Sequence, residues 1–154
     1  MKRNTTKLLG TVLPLTIISM FVITKWWYAL PVDGPDKMYW GFPFAFMGEG
    51  FHTSMSLQFF ILAFLADFAV YFTIILLLVL AFLKWFPAFL ISKIVSKTVW
   101  VLTIVLLIGF GFIVTTSNPV FQAKRNYDWR ILTTGYVFIW QATPSPDIHK
   151  YQNK

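Results

Sequence analysis

A single carboxylate, Asp67, interrupts the longest apolar run of this chain, Leu57 to Leu83, whose only other clearly polar side chains are Gln58 and Thr73. A carboxylate at the centre of a lipid-embedded helix costs about 2.5–3.5 kcal/mol on insertion scales. It is tolerated when it faces a partner, faces water or carries a proton. Asp67 is therefore a candidate proton or cation site, or a polar clamp to another subunit. The scarcity of other polar groups favours a plainer role, a protonated side chain hydrogen-bonded inside a helix bundle. Counting inward from Leu8, Thr16 and Ser19 reach the depth of Asp67 and are its expected intramembrane partners. Ala63 and Ala66 beside it would let the helices approach closely.

Glu49 and His52, three residues apart, are the other candidate pair. General acid/base work or metal binding is conceivable there. The chain has only His52 and His149 as imidazoles and no Cys, and no metal-ligand spacing accompanies them. A capping or interfacial role is the expectation, with no metal and no cofactor. No G-x-S-x-G, H-E-x-x-H, P-loop or dinucleotide-binding pattern occurs. Gly109 and Gly111 lie two apart, which is not a G-x-x-x-G helix-packing motif; local packing is a plainer reading than a hinge.

The elements that must carry these residues are dominated by lipid-like composition. Of the 154 residues, 57% are hydrophobic and 12% charged, and there are 17 Phe and 7 Trp. Soluble domains carry about 25% charged residues, so this chain lacks the polar surface of a water-soluble globule. The net charge of +7 flanks apolar runs and fits anionic headgroups better than nucleic acid. Three transmembrane helices are predicted, over about 8–25, 55–86 and 88–116. The first follows Lys2, Arg3 and Lys7 and ends at Lys25, with an interfacial belt of Trp26, Trp27 and Tyr28 in place of a small-residue cleavage pattern. It reads as an uncleaved anchor, with Pro14 kinking it or absorbed by its neighbours. Lys93 and Lys97, four apart, place an amphipathic turn at the lipid interface before the third span.

Residues 26–56 form an aromatic loop, expected to be structured and to rest on the bilayer or a partner. Residues 117–154 form an extramembrane tail. Trp129 to Thr143 within it is rich in strand formers, suggesting two short strands or one bent strand. The expected fold is thus an all-α membrane domain of three transmembrane helices, residues 1–116, with a short tail of strand-forming composition. Lys and Arg near the span ends favour a cytoplasmic N-terminus, with the loop 26–56 and the tail on the other side.

Gly41-Phe42-Pro43-Phe44, followed by a helix with Asp67 amid Leu, Phe and Ala, resembles a loose class of small bacterial membrane proteins. These carry a Gly-aromatic-Pro motif before an acidic transmembrane helix. The resemblance covers roughly residues 40–83, implies the bacterial inner membrane, and implies no activity.

The leading functional expectation is a non-enzymatic accessory or structural subunit of a larger membrane assembly, with the bilayer and other membrane subunits as partners. An ion- or proton-coupled transport component using Asp67 is the rival. A membrane enzyme acting on lipid or quinone comes third, because no catalytic constellation stands out.

Overall fold

Ile23-Thr24-Lys25-Trp26-Trp27-Tyr28 combines β-branched and aromatic residues, the side chains that fit a pleated surface. It forms a strand, directly after the first helix. The computed structural model describes residues 2–32, 35, 37–51, 56–86 and 93–142. These form, in order, α1 (Lys2–Val22), β1 (Ile23–Pro31), β2 (Lys37–Trp40), β3 (Met47–Glu49), β4 (Leu57–Phe60), α2 (Ile61–Trp85), α3 (Lys93–Thr116), β5 (Val120–Gln122) and β6 (Trp129–Phe138).

The strands make one mixed sheet in the order β5-β4-β3-β2-β1-β6. β1 to β4 pair as an antiparallel meander, β6 returns antiparallel to β1, and β5 lies parallel to β4. A parallel pair needs a crossover connection, and here α2 and α3 supply it. The chain divides into two compact units, Met1–Val22 with Phe68–Ile113, and Ile23–Asp67 with Val114–Lys154.

This overturns the all-α expectation with three spans. The segment 26–56 supplies strands rather than an interfacial loop, and Leu57–Phe60 is strand β4 rather than the start of a span. The reason is physical. Both faces of the sheet are apolar, so the alternation that marks a half-buried strand is absent from the sequence. One face carries Ala29, Tyr39 and Phe60, with Trp27, Tyr127 and Trp129 packed against them. The other carries Trp26, Tyr28 and Val137, with Met38, Trp40 and Leu132. A bulge at Tyr28/Ala29 leaves Leu132 as the extra residue of β6. Tyr39 and Phe60 are almost wholly buried, each worth about 1.5–3 kcal/mol in burial. Trp26 pairs with Gly135 across β1 and β6. The indole lies where a Cβ on Gly135 would be, 2.8–2.9 Å from it, so only glycine fits under that ring.

Two helices, α2 and α3, are long and apolar enough to cross a membrane. Their outward residues include Leu77, Leu78, Leu80, Val105 and Ile108, all exposed. The apolar part of α1, Lys7–Val22, is shorter than either, because the chain turns into β1 at Ile23. α1 contains Pro14, which cannot donate to the carbonyl four residues back. That carbonyl, Gly10 O, instead accepts the indole N–H of Trp100 on α3 at 2.8 Å. One turn further on, buried Thr103 donates to Val99 O at 2.8 Å, with Pro14 O 3.3 Å away. The neighbouring helix thus answers the backbone group that the proline frees. Phe21 and Phe110 extend this α1–α3 contact edge to face.

Candidate functional site

Asp67 lies in the second turn of α2, because that helix begins at Ile61. Beyond it, residues 68–85 run about 27 Å at 1.5 Å per residue, close to the ~30 Å core of a bilayer. Asp67 is therefore near one end of the apolar stretch and not at its centre. Its side chain is fully buried. Oδ1 accepts the backbone N–H of Phe44 at 2.8 Å, while Oδ2 has no hydrogen-bond partner among the described residues. Thr16, on α1, donates to Val12 O at 2.9 Å, and Ser19 is half-buried on the same helix.

The loop that Asp67 holds is Gly41 to Phe46, between β2 and β3. Its N–H and C=O groups are pinned on several sides. Gly41 N–H donates to Lys25 O at 2.9 Å, Phe46 N–H to Trp40 O at 3.0 Å, and Phe60 N–H to Phe46 O at 2.8 Å. The Trp27 indole donates to Gly41 O at 2.9 Å. Gly41 has φ 145°, a region L side chains rarely adopt, and a Cβ there would overlap Phe44 O. Phe46 packs edge to face on Phe64 of α2, with ring centroids 5.4 Å apart.

This loop forms one wall of a cavity of about 550 Å³. Pro43, Phe44 and Ala45 line it on that side, Leu62, Ala63 and Ala66 on the α2 side, and Trp27, Trp129 and Ile131 on the sheet side. Ala63 and Ala66, three apart on one helix face, are small and leave the space open. The polar lining is cationic: Lys124 and Arg125, from the connection between β5 and β6. The Arg125 guanidinium lies 3.8 Å over the Trp129 ring, and its Nε donates to Tyr127 O at 2.9 Å. Burial pulls the Arg125 pKa down from its usual value; a guanidinium nevertheless keeps its charge at neutral pH. Among the described residues the one ion pair is Lys37–Glu49, at 3.8 Å, so neither cavity cation is in an ion pair, and Asp128 acts on Arg125 only from beyond that distance.

Beneath the cavity runs a buried polar chain. The Tyr127 hydroxyl donates to Gln58 Oε1 at 3.2 Å and lies 3.0 Å from the Tyr39 hydroxyl. Since Tyr127 gives its only proton to Gln58, Tyr39 is the donor to Tyr127. Gln58 Nε2 donates to Glu49 O at 2.8 Å. Burial, reinforced for Tyr39 by its bond to Tyr127, pushes the pKa of both phenols upward. Both stay neutral at physiological pH, and they fix the connection that carries Arg125.

The other residues singled out by sequence fall elsewhere. Glu49 is in β3, paired with Lys37; His52 lies outside the described residues. Lys93 and Lys97 are both exposed in the first turns of α3. Trp26 and Trp27 are strand residues on opposite faces of the sheet, with Lys25 Nζ 3.5 Å over the Trp27 ring. Among the described residues no group of His, Cys, Asp or Glu is gathered to hold a metal ion. Sequence reasoning passed over Lys124, Arg125, Tyr39 and Tyr127. The only available signal was the Lys124-Arg125 pair four or five residues before Trp129, which reads as tail charge until the strands are known.

No protein-family model matches the chain, and no curated protein or solved structure is significantly similar to it.

Proposed function

We propose that this protein is a non-enzymatic accessory subunit of a larger membrane assembly, held in the bacterial inner membrane by α2 and α3. The observation that carries this reading is the outer edge of β6, which has no strand beside it among the described residues and is closed at Phe138 by Gln141. This strand runs ten residues, Trp129–Phe138, and among the described residues it pairs with β1 alone. Long edges are usually blunted by lysines, prolines or covering elements, because they template pairing with another chain. Here the edge strand and the turn after it expose Ile131, Tyr136, Phe138, Ile139 and Trp140. That surface suits strand addition by a partner, with backbone hydrogen bonds giving affinity and the apolar side chains giving selectivity.

The shared sheet also bears on topology. β1 to β4 come from the segment before α2, and β5 and β6 from the segment after α3. Two segments of one sheet must lie on one side of a bilayer. With α2 and α3 as an out-and-back pair, Lys84, Lys93 and Lys97 fall at the opposite side, which we take as cytoplasmic by the positive-inside rule. The sheet unit is then extracytoplasmic.

The test is site-specific photocrosslinking in native membranes, with the crosslinker at Tyr136 or Ile139 and, as control, at Val32. A discrete heterologous adduct at the β6 positions, absent at Val32 and lost in Ile131→Lys, is expected. Adducts only between copies of this chain, or none at β6, would overturn the reading. Cysteines placed at Val32 and Lys93, both exposed, should label from opposite sides; labelling from one side refutes the topology.

A further inference from the structure

The cavity beside α2 has the chemistry of a lipid site. Its lining is aromatic and aliphatic apart from two cations, Lys124 and Arg125. An amphiphile with one anionic group satisfies both parts, since a guanidinium and an ammonium bind phosphate oxygens by charge-assisted hydrogen bonds. About 550 Å³ falls within the range of small-molecule sites. The walls leave an apolar exit along α2: Leu62 lines the cavity and Leu65, three residues on, is exposed. Leu62, Ala63 and Ala66 belong to the first two turns of a helix apolar enough to cross a membrane. Headgroups lie at that level when the helix spans.

Arg125 is built in place rather than free. Its bond to Tyr127 O and its stacking on Trp129 restrict it without consuming its negative partner. Two carboxylates bear on the site, and neither lines the cavity: Asp67 is committed to the Phe44 N–H, and Asp128 acts on Arg125 electrostatically without forming an ion pair. We infer that the cavity holds an anionic phospholipid, its phosphodiester on Lys124 and Arg125 and its upper chain between Phe44 and the Ala63–Ala66 face. The lipid as source rests on the membrane reading above.

The test uses the full chain in nanodiscs of equimolar phosphatidylglycerol and phosphatidylcholine, released into native mass spectrometry. Retention of one phosphatidylglycerol in preference to phosphatidylcholine is expected. Lys124→Gln with Arg125→Gln should lower that retention about tenfold. Ala66→Phe, which fills the cavity and leaves both charges, should lower it comparably, while Arg130→Gln on exposed β6 should not. Far-UV circular dichroism confirms that each variant is folded. Equal retention of the two lipids, or phosphatidylglycerol retention indifferent to both the charge and the cavity variants, overturns the site. With oleate added to the discs, its capture in preference to phosphatidylglycerol would make the occupant a carboxylate and overturns the phospholipid assignment. Failure of the wild-type chain to enter discs refutes the membrane reading separately, and with it the lipid as source.

Discussion

Replacing Asp67 by Leu should release the loop that Asp67 holds. The carboxylate accepts the Phe44 N–H at 2.8 Å from a fully buried position. Leucine has the same branched outline and cannot accept, so the change removes the bond to Phe44 together with the weaker influence of the Phe42 N–H. Leaving a buried donor unpaired costs about 1–3 kcal/mol. At 1.36 kcal/mol per decade this is about 5- to 150-fold in the local opening equilibrium. The Phe44 amide is itself the reporter, and its hydrogen exchange in nanodiscs should speed up by that factor. The Gly41 amide, bonded to Lys25 O, should follow more weakly as the loop loosens. Asp67→Asn keeps an acceptor at the same place and should stay near wild type, less the cost of seating an amide where Oδ2 has no partner. Wild-type exchange at Phe44 in Asp67→Leu would refute the reasoning, and a larger loss in Asn than in Leu would show that charge matters more than the bond.

Gly41→Ala should destabilise the sheet unit by about 1–3 kcal/mol, through backbone strain and overlap with Phe44 O, seen as a lower denaturant midpoint for Trp fluorescence. Trp100→Phe leaves Gly10 O without its indole donor; a loss of about 1–3 kcal/mol is expected, and Trp100→Phe with Pro14→Ala should recover part of it, because the helix can then bond Gly10 O itself. Tyr39 and Tyr127 have raised pKa values, so the folded state binds their protons more tightly than the unfolded state does. Their contribution to stability is complete below the free phenol pKa of about 10 and falls as pH rises beyond it; Tyr39→Phe should flatten that alkaline loss, followed by tyrosinate absorbance and unfolding together.

The helical part was legible because an unbroken apolar run of roughly twenty residues is what a bilayer-crossing helix requires. Lys84 to Pro87 and Ser117-Asn118-Pro119 bracket the ends that α2 and α3 adopt. Of the sheet, only β6 was legible, from the strand formers after Trp129; the other strands were not, and the cause lies in particular residues. Trp26 and Trp27 point to opposite faces and both are packed, so β1 shows no alternation and resembles an interfacial belt. Leu57-Gln58-Phe59-Phe60 runs into Ile61 with no break in hydrophobicity. Its pairing with β3 on one side and with Val120 to Gln122 of β5, far away in sequence, on the other makes it a strand. Nor could sequence bring Lys124 and Arg125 to Ala63 and Ala66. That juxtaposition depends on β4 and β5 lying side by side after a crossover through two helices.

The same topology joins the two features that sequence treats separately, the acidic residue and the aromatic segment. Asp67 grips Phe44, and Pro43, Phe44 and Ala45 are a wall of the cavity. Gly41 O takes the indole proton of Trp27, which lines the facing side. A carboxylate in the second turn of α2 is thereby bonded to the wall of a cavity whose charged lining residues are both cations. The bond from the Phe44 N–H offsets part of the cost of burying that carboxylate. An acidic residue in the second turn of an apolar helix is in this chain bonded to the β2–β3 loop, and that loop is one wall of the cavity that Lys124 and Arg125 line.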